Sequence, residues 1–460
     1  MSFVELHNLN SSYLDQQIEL YGSVMSVRPG GKKLTFLILY DGFYSLQCVC
    51  LKNKFSNNVD DVFQEINNLT QNSKVYIKGI LKGLPESQPE IKSCYYKNFE
   101  FIVDEIMIVN KSDKLPFSIE DANVPYNDET DRSHVLLQTR LDNRTIDLHT
   151  PFNNALFKCK SDMLKGFRNL LLNLDFVEIQ TPKILGVSSE SGSSVFQLNY
   201  FGKPAYLAQS PQLYKQMMIN SGMVRVFEIG PIFRSENANT NRHLCEFTGL
   251  DIEMSLRPPY FDYHEIFHVI WQTLLSMFNN INSNAKNYIK SIHYFNEPII
   301  PNCPLVITFK ECVKLLNEHN IIQDPYEDLT TENEKALGSI VKSVYSSDLF
   351  VLTEYPIRAR PFYTKQLNDE YTKSYDIIFK GVEICSGAQR ENNYDQLLKQ
   401  MSDLNLKVGS FEDYLNSFKY GSPPHGGGGL GLERIISLYF DLNNVKAGSL
   451  FPRDPSRFTP

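Results

Sequence analysis

VFEIGPIFRSENANTNRHLCEFTGLDIEM, residues 226–254, is the stretch from which the fold and the chemistry of this chain follow most directly. An apolar run leads to Arg234 and Glu236, small polar residues follow, and alternation of apolar and polar residues resumes at Glu246. This pattern predicts two strands joined by a polar loop, which is a β-hairpin. Its arginine and acidic side chains put opposite charges on one sheet face, as a triphosphate with magnesium requires. A surface hairpin with solvated charges is the alternative that the hairpin alone leaves open.

The length and composition of the chain limit the classes of protein to which it can belong. A chain of 460 residues is too long for one ordinary core, so we expect two or three domains. Apolar residues make up 42% and charged residues 21%, which is typical of a globular protein. Because the formal net charge is -8, contacts with nucleic acid must come from local basic or aromatic patches. A histone-like binder is thereby excluded, and a selective binder is not.

Cysteine usage and hydropathy indicate the compartment. The 8 cysteines are scattered without a C-x-x-C pair, which is typical of reduced thiols and argues against a zinc site. The first residues, MSFVELHNLNSSYLDQQ, lack the features of a signal or transit peptide. No apolar run approaches the roughly 20 residues that span a bilayer. We therefore expect a soluble, cytoplasmic protein that does not engage a membrane.

Residues 1–110 are predicted to hold a small all-β domain. Five strand-like runs lie between 16 and 110, with a helix-like stretch between the third and the fourth, which is the order of an OB-fold. OB-folds bind single-stranded nucleic acid by stacking bases on aromatic side chains and reading base edges with polar ones. Phe36, Gln47 and Glu100 lie on strands where they could do so. Alternation alone leaves open whether Phe36 belongs to the core.

Residues 111–150 are predicted to be a polar linker or hinge, followed by a second domain at 151–460. From Asn153 an amphipathic helix is predicted, and a β-rich segment after it ends at Pro182, which forces extended geometry on Thr181. The apolar face of such a helix suits either a core or a dimer surface.

The segments on either side of the hairpin complete the second domain. A Ser/Gly-rich loop surrounds Glu190, and a helix after Ser210-Pro211 brings Gln209, Gln212 and Lys215 together at its first turn. Residues 255–349 are predicted to be a helical insertion that carries little chemistry. Capping boxes at Thr308/Glu311 and Thr331/Glu334 define two of its helices.

Two short motifs suggest other chemistries. HEIFH at 264–268 fits the zinc-protease pattern, but no third ligand follows it. Gly426, Gly428 and Gly431 satisfy the dinucleotide-binding pattern, but the preceding YGSPPH cannot be a central parallel strand. The Gly-rich segment runs instead into a helix with Glu433 and Arg434, where glycines would permit either close approach to a ligand or close structural packing.

The order of these features resembles a known enzyme class. A helix and strand ending in Pro182, a hairpin with FRSE and a Gly-rich GLGLER resemble the three signature motifs of class II aminoacyl-tRNA synthetases. The N-terminal OB-fold is similar to the anticodon-binding domain of their aspartate, asparagine and lysine subgroup. QSPQLYKQ, RSENANTNRHLCEFTGLDIEM, GVEICSGAQR, PPHGGGGLGLERI and LFPRDPSRFTP narrow the resemblance to the cytosolic aspartyl enzymes of eukaryotic and archaeal type.

The resemblance implies an α+β fold, with an N-terminal OB-fold β-barrel before a catalytic domain built on an antiparallel β-sheet flanked by helices. It implies ATP-dependent formation of aspartyl-adenylate, with Mg²⁺, and transfer of aspartate to the 3′-terminal adenosine of the aspartate tRNA. It also implies a homodimer, with Pro182 at the interface. A non-discriminating enzyme, an asparaginyl-tRNA synthetase and a catalytically inactive tRNA-binding paralogue are the alternatives.

The resemblance also assigns a role to each candidate residue. Catalysis is assigned to Arg234, Glu383 and Arg434. ATP binding adds Glu236, His243 and Phe247, the last as the ring that stacks adenine. Magnesium is assigned to Glu383 and Asp251. The aspartate pocket comprises Glu190, Gln209, Gln212, Lys215, Asp251, Ser386 and Arg390, with Lys215 and Arg390 facing the substrate β-carboxylate. The anticodon is assigned to Phe36, Gln47 and Glu100.

Overall fold

The computed structural model describes residues 2–55, 59–85, 87–127, 132–187, 195–237, 239–406 and 408–460. These residues form two compact units with separate cores. The first comprises Met1–Cys159, Asn282–Tyr294 and Pro460, and the second comprises Lys160–Ile281 and Phe295–Thr459. The fold is α+β, as the sequence predicts.

The first unit is built around a closed β-barrel. Its elements are β1 (Ser2–Phe3), β2 (Gln17–Gly31), β3 (Leu34–Asp41), β4 (Tyr44–Leu51), α1 (Val59–Asn67), β5 (Lys74–Gly83) and β6 (Phe99–Asn110). Within the described residues the strand order is β1-β2-β3-β4-β6-β5, and pairing of β2 with β5 closes the sheet on itself. Alternate residues such as Leu37 and Leu39 point inward and are fully buried. The predicted OB-fold is confirmed.

The segment predicted as a linker has local structure of its own. It contains α2 (Ile119–Asn123), α3 (Leu137–Asp142) and α4 (Arg144–Asp147), and a later helix, α8 (Ser283–Ile292), joins the same unit. Arg144 donates a hydrogen bond to Asp147, and both side chains are almost fully buried. Each buried charge needs a partner of opposite sign, because an unpaired charge in the interior is strongly unfavourable. The domain limits drawn from the sequence stay a prediction.

The second unit is organised by a large sheet. Its strands are β7 (Val177–Glu178), β11 (Arg225–Phe233), β12 (Glu246–Ser255), β13 (Val306–Thr308), β14 (Leu349–Thr353), β15 (Ser374–Phe379), β16 (Val382–Gln389) and β17 (His425–Gly431). Over the residues described, the order is β13-β14-β15-β16-β17-β12-β11-β7, with parallel pairs only at the two ends. A smaller antiparallel sheet contains β8 (Ile184–Leu185), β9 (Gln197–Tyr200) and β10 (Lys203–Leu207).

This topology tests two of the sequence interpretations. The hairpin is confirmed, because β11 pairs with β12 from Arg225↔Met254 to Phe233↔Glu246 without interruption. The glycine pattern lies on β17, a central strand that runs antiparallel to both neighbours. A dinucleotide-binding fold needs a parallel sheet at this point, so that interpretation is excluded.

Helices cover the sheet of the second unit. They are α5 (Pro151–Asn173), which begins in the first unit, α6 (Gln212–Asn220), α7 (His264–Asn279), α9 (Phe309–Glu318), α10 (Thr331–Tyr345), α11 (Tyr394–Asp403), α12 (Glu412–Phe418) and α13 (Leu432–Tyr439). The helix predicted from Asn153 begins at Pro151, where a proline is well tolerated because the first helical N–H has no intrahelical partner. No helix in the described part of the chain is long and apolar enough to cross a membrane.

The predicted capping boxes have different outcomes. Thr308 and Glu311 form a complete box at the start of α9. For α10 the box predicted at Thr331/Glu334 is wrong, since Thr330 is the N-cap and accepts a hydrogen bond from the backbone N–H of Asn333. The side chain of Glu334 is therefore free to point away from its own helix.

Candidate active site

A cavity of about 540 Å³ opens on one face of the large sheet. It is bounded by the β11–β12 hairpin, the start of α6, β16, β17 and the start of α13. Its lining includes most of the catalytic-domain candidates, namely Gln209, Gln212, Arg234, Glu236, His243, Phe247, Asp251, Glu383, Ser386, Arg390 and Arg434. Segments that are as much as 225 residues apart in the chain thus form one concave site.

The hairpin places a cation beside an aromatic ring at one end of the cavity. Arg234 directly follows β11, and its guanidinium carbon lies 5.7 Å from the centroid of the Phe247 ring on β12. Glu236 approaches both Arg234 and His243, at 3.9 and 3.7 Å respectively. Burial lowers the pKa of His243 and outweighs the opposing effect of Glu236. The ring, the guanidinium and the imidazole suit a purine nucleotide with its phosphates.

Arg434 lines the same cavity from α13. It lies on the first turn of α13, and its Nη1 donates a hydrogen bond of 2.7 Å to the carbonyl oxygen of Glu383 on β16. Burial lowers the pKa of Arg434, and the neighbouring Glu383 carboxylate partly opposes that effect. Among the described residues this guanidinium makes no other hydrogen bond, so its remaining donors can meet an anionic ligand in the cavity.

Two acidic side chains meet at the β15–β16 hairpin. Burial, followed by the nearby charge of Asp376, raises the pKa of Glu383 to about 7. Asp376 accepts a hydrogen bond at Oδ2 from Arg360 at 2.7 Å, whereas its buried Oδ1 has no partner within the described residues. A carboxyl group with a raised pKa and a neighbouring carboxylate oxygen without a hydrogen-bond partner together form a set of oxygen ligands. A hard divalent cation would neutralise their negative charge. The residues therefore fit Mg²⁺.

A buried charge network lies beside the cavity, which its members Asp251 and Arg390 line. The Nζ of Lys215 lies 3.0 Å from Asp251 Oδ1 and 3.4 Å from Glu253 Oε2. Arg390 binds the same Glu253 at both oxygens. Burial pushes the pKa of Glu253 upward, but Arg390 and Lys215 outweigh it and hold that pKa below its ordinary value. Two cations are thus held ready beside the cavity by a shared carboxylate.

The remaining predicted pocket residues lie around this network. Gln209 and Gln212 are buried, and the Nε2 of Gln212 has no hydrogen-bond partner among the described residues. Ser386 is exposed to the cavity and accepts a hydrogen bond from Arg360 at 3.4 Å. Glu190, predicted to lie on a lid, is outside the described residues.

The Gly-rich strand combines the two roles that the sequence left open. A Cβ on Gly427 would lie 2.0 Å from the carbonyl oxygen of Ile252, so this glycine serves strand packing. Gly429 and Gly431 line the cavity, and a Cβ on Gly429 would lie 3.0 Å from Asp251 Oδ1. Here the absence of side chains keeps the cavity open.

The three anticodon candidates lie on adjoining strands of the barrel, where Gln47 is buried and Phe36 and Glu100 are half-buried. Gln47 lies opposite Glu100 in the β4–β6 pair and donates a hydrogen bond to its carboxylate. Phe36 is half-buried and lies between the inward-facing Thr35 and Leu37, so its ring is not part of the barrel core. Arg28 lies over this ring at 5.2 Å. The arrangement offers an aromatic face, a cation and polar groups on adjoining strands.

Pro182, the predicted interface residue, is exposed. Apolar side chains before and after it are also exposed, with Leu172 at 47%, Val177 at 48% and Ile184 at 49%. The interface at Pro182 stays a prediction.

Several residues of the site were missed by sequence reasoning. They are Arg242, Glu253, Glu334, Arg360 and Asp376. Asp251 was assigned by the resemblance, and strand alternation places Glu253 on the same face of β12, so that residue could have been found. Asp376 and Arg360 carried a weaker signal, because their relation to Glu383 depends on pairing across a hairpin with a register shift between Ile377 and Ile378.

Comparison with known proteins agrees with this geometry. Residues 137–455 match the family model of tRNA synthetases class II (D, K and N), and residues 18–109 match that of the OB-fold nucleic acid binding domain. The chain belongs to this class II synthetase family, which the three sequence motifs had already indicated.

Individual relatives narrow the similarity further. The chain is 39% identical to a cytoplasmic aspartate–tRNA ligase of Caenorhabditis elegans, over 100% of this chain and 88% of the relative. It resembles the structure of an aspartyl tRNA synthetase from Entamoeba histolytica, with a TM-score of 0.88, 34% identity and coverage of 100% and 92%. An asparaginyl-tRNA synthetase from Pyrococcus horikoshii gives a TM-score of 0.83 with 26% identity and coverage of 99% and 99%.

Proposed function

We propose that this protein is an aspartate–tRNA ligase that activates L-aspartate with ATP and transfers it to the 3′-terminal adenosine of the aspartate tRNA. The observation that carries the proposal is the buried pair of cations, Lys215 and Arg390, beside a nucleotide-sized cavity. The full-length similarity to aspartate–tRNA ligases supports the same substrate over asparagine.

The ATP half of the reaction would use the hairpin, β16 and α13. Phe247 would stack adenine, Arg234 would contact the α-phosphate and the reacting carboxylate, and Arg434 with His243 and Glu236 would meet the outer phosphates. The α-carboxylate of aspartate is already ionised and attacks the α-phosphorus in line. Catalysis is then mainly positioning and stabilisation of charge, and no general base is required.

The aspartate half would use the charge network around Glu253. Lys215 and Arg390 would bind the substrate β-carboxylate, and Asp251 with Gln209, Gln212 and Ser386 would hold the rest of the amino acid. An asparagine amide cannot accept charge-assisted bonds as well, which leaves the two cations partly unpaired in a dry pocket. That difference corresponds to on the order of a few kcal/mol.

Mg²⁺ is part of the proposal. Glu383, with Asp376 beside it, would hold the cation, while Asp251 is engaged by Lys215 and fits the predicted amino-group role better than the predicted metal role. When bound, the cation would neutralise phosphate charge. Arg360 keeps Asp376 oriented, and Arg434 keeps the backbone of Glu383 in place.

The tRNA, the dimer and the location complete the proposal. Phe36 would stack an anticodon base while Gln47 and Glu100 read base edges.

A homodimer would cover the exposed apolar residues around Pro182, and Val177→Lys should convert it to a monomer in light scattering. We expect the protein in the cytoplasm, as the C. elegans relative is named.

Pyrophosphate exchange with aspartate and with asparagine side by side tests the proposal. Exchange that depends on aspartate, and is at least 100-fold weaker with asparagine, is expected from a difference of about 3 kcal/mol. No exchange with either amino acid would refute the enzyme assignment. Exchange with asparagine alone would refute the aspartate assignment.

A further inference from the structure

The helix-rich segment at 255–349 places a carboxylate against two residues that line the cavity, Arg242 and Glu383. Glu334 lies on α10, and its side chain is only 12% exposed. One carboxylate oxygen accepts a hydrogen bond from the backbone N–H of Glu383, and the other lies 3.2 Å from Nη2 of Arg242 on the hairpin loop. Glu334 therefore links the hairpin loop to β16, two parts of the site that are far apart in the chain.

Two glycines make this reach possible. A Cβ on Gly338 would lie 2.3 Å from the Cα of Gly381 in the β15–β16 turn, and Gly381 has a φ of +70°. Side chains at these positions would push α10 away from the sheet. Because Glu334 precedes Gly338 by one helical turn, it lies on the face of α10 that contacts the sheet and its carboxylate meets the start of β16.

Arg242 is paired through Nη2 with Glu334. It lines the cavity, and its buried Nε has no hydrogen-bond partner within the described residues. Its charge contributes to lowering the pKa of both His243 and Arg434, after the larger effect of burial. Cations that converge in this way repel one another, so in the absence of a polyanion a nearby carboxylate is needed to hold Arg242 in place.

We propose that Glu334 is a positioning residue of the ATP site, which orients Arg242 so that its free N–H groups face the outer phosphates. This rests on the proposed function, because it requires ATP to occupy the cavity. The sequence places Glu334 outside the three motifs, in a segment that was expected to carry little chemistry. The cation that contacts the phosphates is thus supported from outside the hairpin.

A double-mutant cycle of Glu334→Gln and Arg242→Ala tests this role. The Kd for ATP is measured by calorimetry, and the KM values for ATP and aspartate are measured by pyrophosphate exchange. Glu334→Gln keeps the side-chain volume and an acceptor for the Glu383 N–H, but removes the charge beside Arg242. We expect about a tenfold higher Kd for ATP, as for loss of a charge-assisted bond. The KM for aspartate should change less than about twofold, and Glu332→Gln, exposed on the same helix, should match the wild type.

The second arm of the cycle distinguishes positioning from a general structural effect. In the Arg242→Ala background, Glu334→Gln should add less than about twofold to the Kd for ATP, because the residue through which it acts is gone. Additive effects, an unchanged Kd, or equal losses for ATP and aspartate would overturn the proposal. If Glu334→Gln does not fold, Glu334→Asp, which keeps the charge but shortens the reach, must show the same loss confined to ATP.

The wild-type protein separates the two levels of inference. Absence of aspartate-dependent exchange in the wild type would refute the proposed function itself. Normal exchange and ATP binding in the wild type, with no selective effect at Glu334, would refute only the role of Glu334.

Discussion

The guanidinium of Arg390 is bound at two points by the carboxylate of Glu253, with Nε···Oε1 at 2.9 Å and Nη2···Oε2 at 3.1 Å. Both side chains are almost completely buried. Such a fork fixes the plane of the guanidinium, and its Nη1, which makes no hydrogen bond to the described residues, could meet a substrate carboxylate. In the proposed function, selection of the amino acid would therefore depend on a carboxylate that need not touch the substrate.

Arg390→Leu should abolish aspartate activation while ATP binding is retained, because Arg390 lies at the amino-acid end of the cavity. The expected loss in kcat/KM for aspartate is about 1000-fold, and calorimetry should show a Kd for ATP within about threefold of the wild type. Arg390→Leu with Glu253→Leu provides a control for folding, since it removes both charges of the fork while Lys215 keeps Asp251 at 3.0 Å. Equal losses for ATP and aspartate would mean that Arg390 has a structural role.

Glu253→Gln should reduce both stability and aspartate binding. The amide would leave Arg390 and Lys215 without their shared counter-charge, so urea unfolding should show a loss of about 3 kcal/mol. Glu246→Gln, at an exposed position on the same strand, is the matched control and should change the free energy of unfolding by less than about 0.5 kcal/mol. A stability equal to the wild type would show that the network does not depend on this charge.

The buried His425 should make stability depend on pH. Burial lowers its pKa below the ordinary 6.5, and Glu253 only partly opposes that effect. The unfolded chain therefore binds more protons than the folded one in the window just below pH 6.5, so stability is present above 6.5 and is lost as pH falls through the window. Relative to His425→Gln, the wild type should lose free energy of unfolding between pH 7.5 and 5.5 in urea titrations. Parallel curves for the two proteins would contradict this prediction.

Phe36→Ala should weaken tRNA binding without affecting amino-acid activation. Loss of one base stack costs about 1–3 kcal/mol, so the Kd for the aspartate tRNA should rise roughly 10- to 100-fold in filter binding. Pyrophosphate exchange without tRNA should be unchanged, because the ring belongs to the barrel. Tyr21→Ala, which removes an exposed ring from β2, is the matched control. An effect on tRNA of the same size in both variants would argue against a specific stack at Phe36.

Much of the fold could be predicted from local patterns. The barrel strands, the β11–β12 hairpin and α9 with its capping box follow from alternation, helical periodicity and cap chemistry, which are encoded within a few residues. The error at α10 shows the limit of such signals. Thr330 and Thr331 are both acceptable caps, so the local pattern does not choose between them. In the fold, Thr330 caps α10, whose Gly338 packs against Gly381 of the β15–β16 turn.

The sequence by itself determined the family, because each of the three motifs is a contiguous stretch with its own spacing. It also determined which residues can carry charge. Only the tertiary structure decided how those charges are paired. It placed Glu253 between Lys215 and Arg390, Asp376 beside Glu383, and Glu334 against Arg242. These pairs join strands and helices that are distant in the chain. Their strength depends on separation and burial, and neither quantity is encoded in the local pattern around any one residue.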